Sequence, residues 1–407
     1  MDAGRRYLET SALGAAATWN AYRPFSDHGL SSVFAYPAGF APAEVPELAI
    51  AGTVLSALHY ARRGALRTRA GRLGLGVSAA NVAALVGLRR SAQHDGERLE
   101  AALVDGLGPG YDEGIPEPWI APEDRRLPRS RYVVARDVPY GDRGKRQWLD
   151  VWRRPDLPPD ARAPVLLQIP GGAFVVGSKN GQARPLLTHL SRQGWVCVAM
   201  NYRLSPRATW PDHIVDVKRV IAWIRANIGD HGGDPGFVAV TGGSAGGQLA
   251  AVAALSANHT PFQPGFEDVD TTVQAAVPLY GVYDIVDHEG TGRRDNIRYW
   301  ERVIIKTRLS EDRANWELAS PVNMARPDAP PFFVVHGTTD GLIRVEQARL
   351  FVRRLRAVAT RPVCYAELPH AHHGFDFIAS PRTRHTVAAV ERFLLAAYAC
   401  RTQAPTG

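Results

Sequence analysis

The stretch Phe237-Val-Ala-Val-Thr-Gly-Gly-Ser244-Ala-Gly-Gly-Gln-Leu-Ala-Ala-Val252 joins a β-branched run to an Ala-rich helical run through the pattern G-x-S-x-G. A residue at the tip of so sharp a strand–turn–helix stands clear of the sheet. The crowding around that tip requires glycine at 242 and 246. The helix that follows directs its positive end and free N–H groups at the same point, where a negative oxygen would be stabilised. In a Gly-rich chain the pattern can also be an inert turn, but the strand before it and the helix after it favour Ser244 as a nucleophile.

On either side of this turn, the runs Val165–Ile169, Trp195–Ala199, Phe237–Thr241, Ala275–Leu279 and Pro331–Val335 read as strands buried on both faces. Between the second and third lies His213–Ile228, with Ile214, Val217, Ile221, Ile224 and Ile228 at helical spacing. Strands alternating with helices predict a mostly parallel central sheet covered by helices. Upstream, Tyr132–Val138 and Trp148–Trp152 flank the turn Gly141–Gly144 and read as an antiparallel hairpin entering that sheet. No internal repeat is visible.

A serine nucleophile needs a base, and the base needs an orienting acid. The segment Pro331-Phe-Phe-Val-Val-His-Gly-Thr-Thr-Asp340 puts an acid just past a buried strand, where such sites assemble. After the strand Val363–Leu368, the loop Pro369-His-Ala-His-His-Gly-Phe375 supplies imidazoles. The order Ser244, Asp340, His373 is one of the known orders of a Ser-Asp-His triad. Asp284, Asp376 and Glu346 are rival acids, though none shares the post-strand position of Asp340. His370, His372 and His373 with Asp376 could instead ligate a metal. Further ligands would then be needed, and the other ten His show no HExxH-type spacing, so no metal is expected. His336 reads as structural. Donors for a tetrahedral oxygen are expected at Gly171 and Gly172, which end the strand Val165–Ile169, together with the N–H of Ala245.

The composition fits a folded chain with a large core. Of 407 residues 45% are apolar and 22% charged, with nine Trp, which excludes a mostly disordered or collagen-like chain. The net charge of +8 rests on 44 Arg and four Lys, a ratio typical of base-composition bias. The first 130 residues hold 14 Arg against 14 acids, so no basic domain suited to nucleic acid stands out. Cys197, Cys364 and Cys400 are too few and too scattered for a disulfide framework or a CxxC site.

The chain divides into a helical N-terminal region (residues 1–107), a Pro/Gly-rich linker (108–130) and a catalytic domain (131–398). Residues 97–107 carry Leu99, Leu103 and Leu107 at helical spacing, and Pro109, Pro116, Pro118, Pro122 and Pro128 follow. The window 48–90 is unusual: Leu48–Ala61 and Leu73–Leu88 lack charge, and seven Arg with no acid lie between and after them. Each run falls short of the ~18–20 residues needed to cross a bilayer. Two short helices on a cationic turn could dip into an anionic membrane surface, which would place the protein at a membrane or cell envelope. The plainer reading is a buried hairpin with solvated Arg in a cytoplasmic protein. Arg5-Arg6 before Ser11–Trp19 faintly suggests twin-Arg export, but a first helix of the fold explains it better than a cleavable signal.

A family resemblance rests on Leu149-Asp-Val-Trp-Arg-Arg154, Pro170-Gly-Gly-Ala-Phe174, Asn201-Tyr-Arg-Leu-Ser-Pro206, Gly232-Gly-Asp-Pro235, the Ser244 turn, Ala319-Ser-Pro321, His336-Gly-Thr-Thr-Asp340 and His373-Gly-Phe375. In this order, over residues 130–395, they resemble the hormone-sensitive-lipase-like branch of the α/β-hydrolase carboxylesterases. Within it they are most similar to actinobacterial, mycobacterial-type esterase/lipase proteins. The resemblance implies an α/β-hydrolase fold and a serine carboxylesterase or lipase acting on uncharged esters through an acyl-enzyme, without cofactor. Small-molecule or lipid esters would be its substrates, and oligomeric state stays open. Two departures stand out: Pro170 replaces the His that normally braces the oxyanion loop, and Gly243 replaces the usual acid before the nucleophile. Residues Asp287–Arg313, an Arg-rich insertion, are a candidate lid or pocket wall. The alternatives are a catalytically silent hydrolase-fold binding protein, or a serine peptidase or acyltransferase using the same triad.

Overall fold

β-branched and apolar runs too short for helices pair into one eight-stranded sheet in the computed structural model, which describes residues 2–27, 29–113, 115 and 131–402. The strands are β1 (Val133–Pro139), β2 (Trp148–Trp152), β3 (Ala163–Ile169), β4 (Val196–Met200), β5 (Gly233–Gly243), β6 (Ala275–Leu279), β7 (Phe332–Gly337) and β8 (Val363–Leu368). Their order is β1-β2-β4-β3-β5-β6-β7-β8. From β4 to β8 all neighbours are parallel, while β1 and β2 enter antiparallel. The sheet and its flanking helices are those of an α/β-hydrolase.

The helices are α1 (Ala3–Tyr22), α2 (Gly29–Glu44), α3 (Pro46–Arg62), α4 (Arg69–Gln93), α5 (Asp95–Leu107), α6 (Arg184–Arg192), α7 (Asp212–Asn227), α8 (Ala245–Leu255), α9 (Arg294–Tyr299), α10 (Arg313–Leu318), α11 (Val345–Arg356) and α12 (Pro381–Thr402). Alternate strand residues feed two cores. Val165, Leu167, Val238 and Val240 pack with α7, α8 and α11 on one face. Leu166, Cys197, Ala239 and Phe333 pack with α5, α6 and α12 on the other. α5 therefore covers the sheet, although it precedes the Pro-rich segment. A Cβ on its Gly106 would lie 2.4 Å from Cys364 Sγ, so only glycine lets α5 approach β8 this closely. Of the linker expected over 108–130, residues 114 and 116–130 lie outside the described residues.

The first four helices form a separate bundle. Asp2 caps α1 by accepting the Arg5 N–H at 2.8 Å, and Thr68 caps α4 through the Gly71 N–H at 3.0 Å. The expected hairpin over 48–90 corresponds to α3 and α4, joined by a turn at Ala65–Arg67. It is not a buried hairpin: α3 buries only Pro46.

The bundle is fastened to the hydrolase domain by a buried cation. Arg382 of α12 is fully buried, with Nε 3.0 Å from Glu44 at the end of α2 and Nη1 2.6 Å from Asp95 at the start of α5. Removing the guanidinium would leave Glu44 without a cation in a dry interior and Asp95 with Arg98 alone, a change that typically costs about 3–5 kcal/mol. Arg382→Leu is accordingly expected to lower the unfolding free energy of the purified chain by roughly that amount in chemical denaturation. A loss below about 1 kcal/mol would show that this cluster does not hold the two parts together.

Candidate active site

The turn after β5 is as tight as its sequence implies. A Cβ at Gly242 would sit 2.5 Å from the carbonyl oxygens of Ile169 and Gly246, and one at Gly246 would sit 2.2 Å from that of Ile169. Ser244 itself is held at φ 61 and ψ −124, a region that non-glycine residues rarely occupy. Its N–H donates to Leu279 O at 3.0 Å and its carbonyl accepts from Gln248 N–H at 3.0 Å, so neighbouring elements hold the strained residue. Ser244 is the N-cap of α8, and the Ala245 amide belongs to the first turn, whose N–H groups have no intrahelical acceptor.

Two strands away, the loop after β7 carries Asp340, and the loop after β8 carries His373. His373 Nδ1 lies 2.7 Å from Asp340 Oδ2, and both side chains are buried. Asp340 Oδ1 accepts the N–H groups of Leu342 and Ile343, each at 2.8 Å. His336 Nε2 donates to Ile343 O at 2.9 Å and lies 3.3 Å from Asp340 Oδ2. Burial alone would raise the Asp340 carboxyl. The His373 charge and the hydrogen bonds from His336 and His373 outweigh it and hold that carboxyl well below the ordinary range. Asp340 is thus an ionised acceptor aimed at one nitrogen of His373, leaving the other for proton transfer.

The rival acids lie elsewhere. Asp284 accepts the Asp287 and His288 N–H groups and the His288 ring at 2.8 Å, and Glu346 faces Arg349. Asp376 accepts the phenol of Tyr280, whose ring meets the His373 ring edge-on with centroids 4.8 Å apart. Burial, then the Asp376 charge, keep the Tyr280 phenol well above its usual pKa, so it remains a donor. A Cβ at Gly243 would lie 2.3 Å from Tyr280 Oη, so Tyr280 touches both the serine turn and the His373 ring. His370 and His372 face the N-terminal helices instead. His370 stacks edge-on with Tyr22 at 4.7 Å, and His372 Nε2 lies 3.1 Å from Ala21 O.

The loop after β3 leans on the serine. A Cβ at Gly171 would come within 2.5 Å of Gly243 O and 3.2 Å of Ser244 Cβ. The Gly171 N–H, expected as an oxyanion donor, is instead donated to Gln182 Oε1 at 2.7 Å, and Gln182 Nε2 donates back to Gly171 O at 3.2 Å. Tyr202 Oη adds a hydrogen bond to Pro170 O at 3.0 Å. Gln182 and Tyr202 therefore brace the loop where Pro170 leaves no imidazole. The positive φ angles of Gly172 (125), Ala173 (52) and Phe174 (64) turn the backbone. Among the described residues, no hydrogen-bond acceptor engages the Gly172 or Ala173 N–H.

The insertion expected over Asp287–Arg313 contributes α9 and a single turn of π-helix at Trp300–Ile304. Tyr299 donates to Ala173 O, and Trp300 packs edge-on against Phe174 at 5.1 Å. On the other side, Tyr36 of α2 meets the His373 ring edge-on at 6.4 Å. Arg293 joins these two walls, donating to Ser32 Oγ at 2.9 Å and to Gly29 O at 3.1 Å.

The BD-FAE family model matches residues 149–355. The probable carboxylic ester hydrolase LipM of Mycobacterium tuberculosis is 45% identical over 403 residues, covering 96% of this chain and 93% of that protein. The esterase LipQ of the same organism is 46% identical over 330 residues, 78% of each chain. Among solved structures, esterase 2 of Thermogutta terrifontis phosphonylated by sarin superposes with a TM-score of 0.56 at 24% identity, covering 66% of this chain and 97% of that one.

The turn predicts its own sensitivity. Gly246→Ala would drive a methyl to 2.2 Å from a backbone carbonyl that cannot swing away. We expect this variant to lose about 2–4 kcal/mol of stability or to fail to accumulate as folded protein, judged by denaturation and circular dichroism. Wild-type stability would mean that the turn is not packed as described.

Proposed function

Because the chain belongs to the α/β-hydrolase esterase family described by the BD-FAE model, and is a carboxylic ester hydrolase, we propose that it works through a Ser244–His373–Asp340 triad and an acyl-enzyme. His373 takes the Ser244 proton as Ser244 Oγ bonds to the ester carbonyl carbon. The tetrahedral oxygen is held by the amides of Gly172 and Ala245, with the Ala173 amide beside them. Gly171 supports that loop by its exchange with Gln182 and gives no donor to the oxygen. As the intermediate collapses, the carbon–oxygen bond to the alcohol breaks, and His373 gives its proton to the departing alkoxide. His373 then takes a proton from water, which attacks the acyl carbon. The acid leaves, and Ser244 recovers its proton.

The observation that carries this reading is the 2.7 Å contact between His373 Nδ1 and an ionised, doubly anchored Asp340. It orients the ring and stabilises the positive charge that forms on it. The aromatic rings of Tyr36 and Tyr299 beside the site suit uncharged esters better than charged ones. A p-nitrophenyl ester series of increasing acyl length, with amides and an alcohol acceptor run beside it, tests both the ester preference and the acyl size.

Two variants test the residue roles. Ser244→Ala should lower kcat/KM by about 10⁴-fold or more with the fold intact. Activity near wild type would remove Ser244 from the mechanism. Gln182→Ala should lower kcat by roughly 10–100-fold with little change in KM, because the donors it supports act on the developing oxyanion more than on bound ester. A purely structural Gln182 would instead leave kcat unchanged and lower stability alone.

A further inference from the structure

The bundle α1–α4 is built the opposite way from a water-soluble one. Beside a small apolar cluster of Ala21, Ala43, Leu85 and Leu88, its interior holds small and polar residues. Gly4 and Gly74 let α1 and α4 touch, since a Cβ at Gly4 would lie 1.9 Å from Thr68 Oγ1 and one at Gly74 3.1 Å from Leu8 N. Between the helices, Tyr7 Oη donates to Ser78 Oγ at 3.0 Å, Ser11 Oγ pairs with Ser78 Oγ at 2.9 Å, and Asn81 Nδ2 donates to Thr53 Oγ1 at 3.2 Å. Apart from the buried Tyr7, Leu85 and Leu88, many large apolar side chains point outward, and each helix has at least one. Leu13 and Trp19 of α1, Leu30 and Phe34 of α2, Leu48, Leu55 and Leu58 of α3 and Leu73 of α4 are all exposed, Phe34 by 80%. Small residues and hydrogen bonds inside, with leucine and aromatics outside, are what helices adopt when lipid is the solvent.

The charges mark the ends. α1 and α4 run parallel, with Gly4 near Gly71, Ser11 near Ser78 and Tyr22 Oη bonded to Ala84 O. α3 runs against them, since Tyr60 stacks on Tyr7. One end therefore gathers Arg5 and Arg6 of α1, Arg62 at the end of α3 with Arg63 beyond it, Arg67 of the turn, and Arg69 and Arg72 of α4. The opposite end meets the hydrolase domain through Glu44 and Ala21 and carries the exposed aromatics Trp19 and Phe25. Between these ends, Thr10–Tyr22, Leu48–Ala61 and Leu73–Leu88 carry no Asp, Glu, Lys or Arg. At 1.5 Å per residue they measure about 20–24 Å, and Arg side chains reaching outward bring this close to the ~30 Å of a bilayer core. The helical run Arg69–Leu107 also contains a stretch long and apolar enough to cross a membrane.

We propose that α1, α3 and α4 form a membrane-spanning bundle, with the Arg-bearing end on the cytoplasmic side and, on the opposite face, the hydrolase domain with α2 held against it by Arg293, His373 and Arg382. A bundle that only dipped into one leaflet would leave seven Arg in hydrocarbon, which is prohibitive. One lying flat would expose its apolar side chains on one side alone. The excess of Arg over acids at the far end sets the orientation. Resting on the triad reading above, the arrangement also directs the ester site toward lipid. α2 spans the exposed face with Leu30 and Phe34 while Tyr36 on the same helix meets His373.

The test uses the full chain in a bacterial host. After cell breakage, the protein should stay with the membranes through an alkaline carbonate wash, and release into the supernatant overturns the proposal. Cys197 and Cys364 are buried and Cys400 is exposed on the hydrolase domain, so Cys400 reports one face. In spheroplasts, a membrane-impermeant maleimide should label Cys400 without lysis. In a Cys400→Ser background, the Arg67→Cys variant should be labelled only after lysis. Any other pattern overturns the topology. Hydrolysis of soluble p-nitrophenyl acetate by the same variants reads the triad separately, so failure of the topology and failure of the chemistry are distinguishable.

Discussion

Ser244 at φ 61 is the constraint on which the rest of the site depends. A side chain in that conformation persists only where the surroundings overdetermine it. Here Leu279 O, Gln248 N–H and the glycines at 242 and 246 do so. Because β5 lies inside a parallel sheet, its carboxyl end opens beside those of β6, β7 and β8. The loops that follow β7 and β8 therefore bring an acid and an imidazole to the same edge without any long-range coincidence. Strand order converts distance along the chain into contact: Asp340 and His373 are 33 residues apart and 2.7 Å apart at their polar atoms.

In the loop after β3, geometry compensates for the side chain that Pro170 lacks. Pro170 cannot hold its loop by a side-chain hydrogen bond, but the Gln182 amide can both accept from and donate to Gly171. A primary amide is well suited to clamp a peptide unit in this way, since it presents donor and acceptor side by side. The clamp consumes the Gly171 N–H, and the free amides move one residue on. Tyr299 and Trp300 of the insertion then hold Ala173 and Phe174 from outside, while burial lowers the His213 imidazole to about 4 and keeps it a neutral partner for Phe174.

Much of this was legible in the sequence, and the exceptions have physical causes. Strands buried on both faces announce themselves as continuous apolar runs, so β3 through β8 and the turn at Ser244 could be read directly. α5 was read as helix from its leucine spacing, but its place on the sheet was not, because a helix's partner is not encoded in its own period. α2 left no helical pattern: it holds Pro37 and Pro42 and exposes Leu30, Val33 and Phe34, so no polar face alternates with a buried one. The inverted packing of α1–α4 hides from a periodicity reading for the same reason. Gln182 and Tyr280 were missed because each acts through a contact across the fold, to Gly171 and to Asp376, and neither carries a local motif. The split of Asp340 from Asp376 could be argued from strand position alone, and the loop geometry gives the two acids different partners.

A single serine that carries the acyl group can be caught by a covalent trap. An organophosphate that reacts with activated serine hydroxyls but is released slowly should add one phosphoryl group per chain, seen in the intact mass. Peptide mapping should locate it on Ser244, and saturation should coincide with loss of ester hydrolysis. Full inactivation with the adduct on another residue would contradict the account, as would undiminished hydrolysis in a fully modified chain.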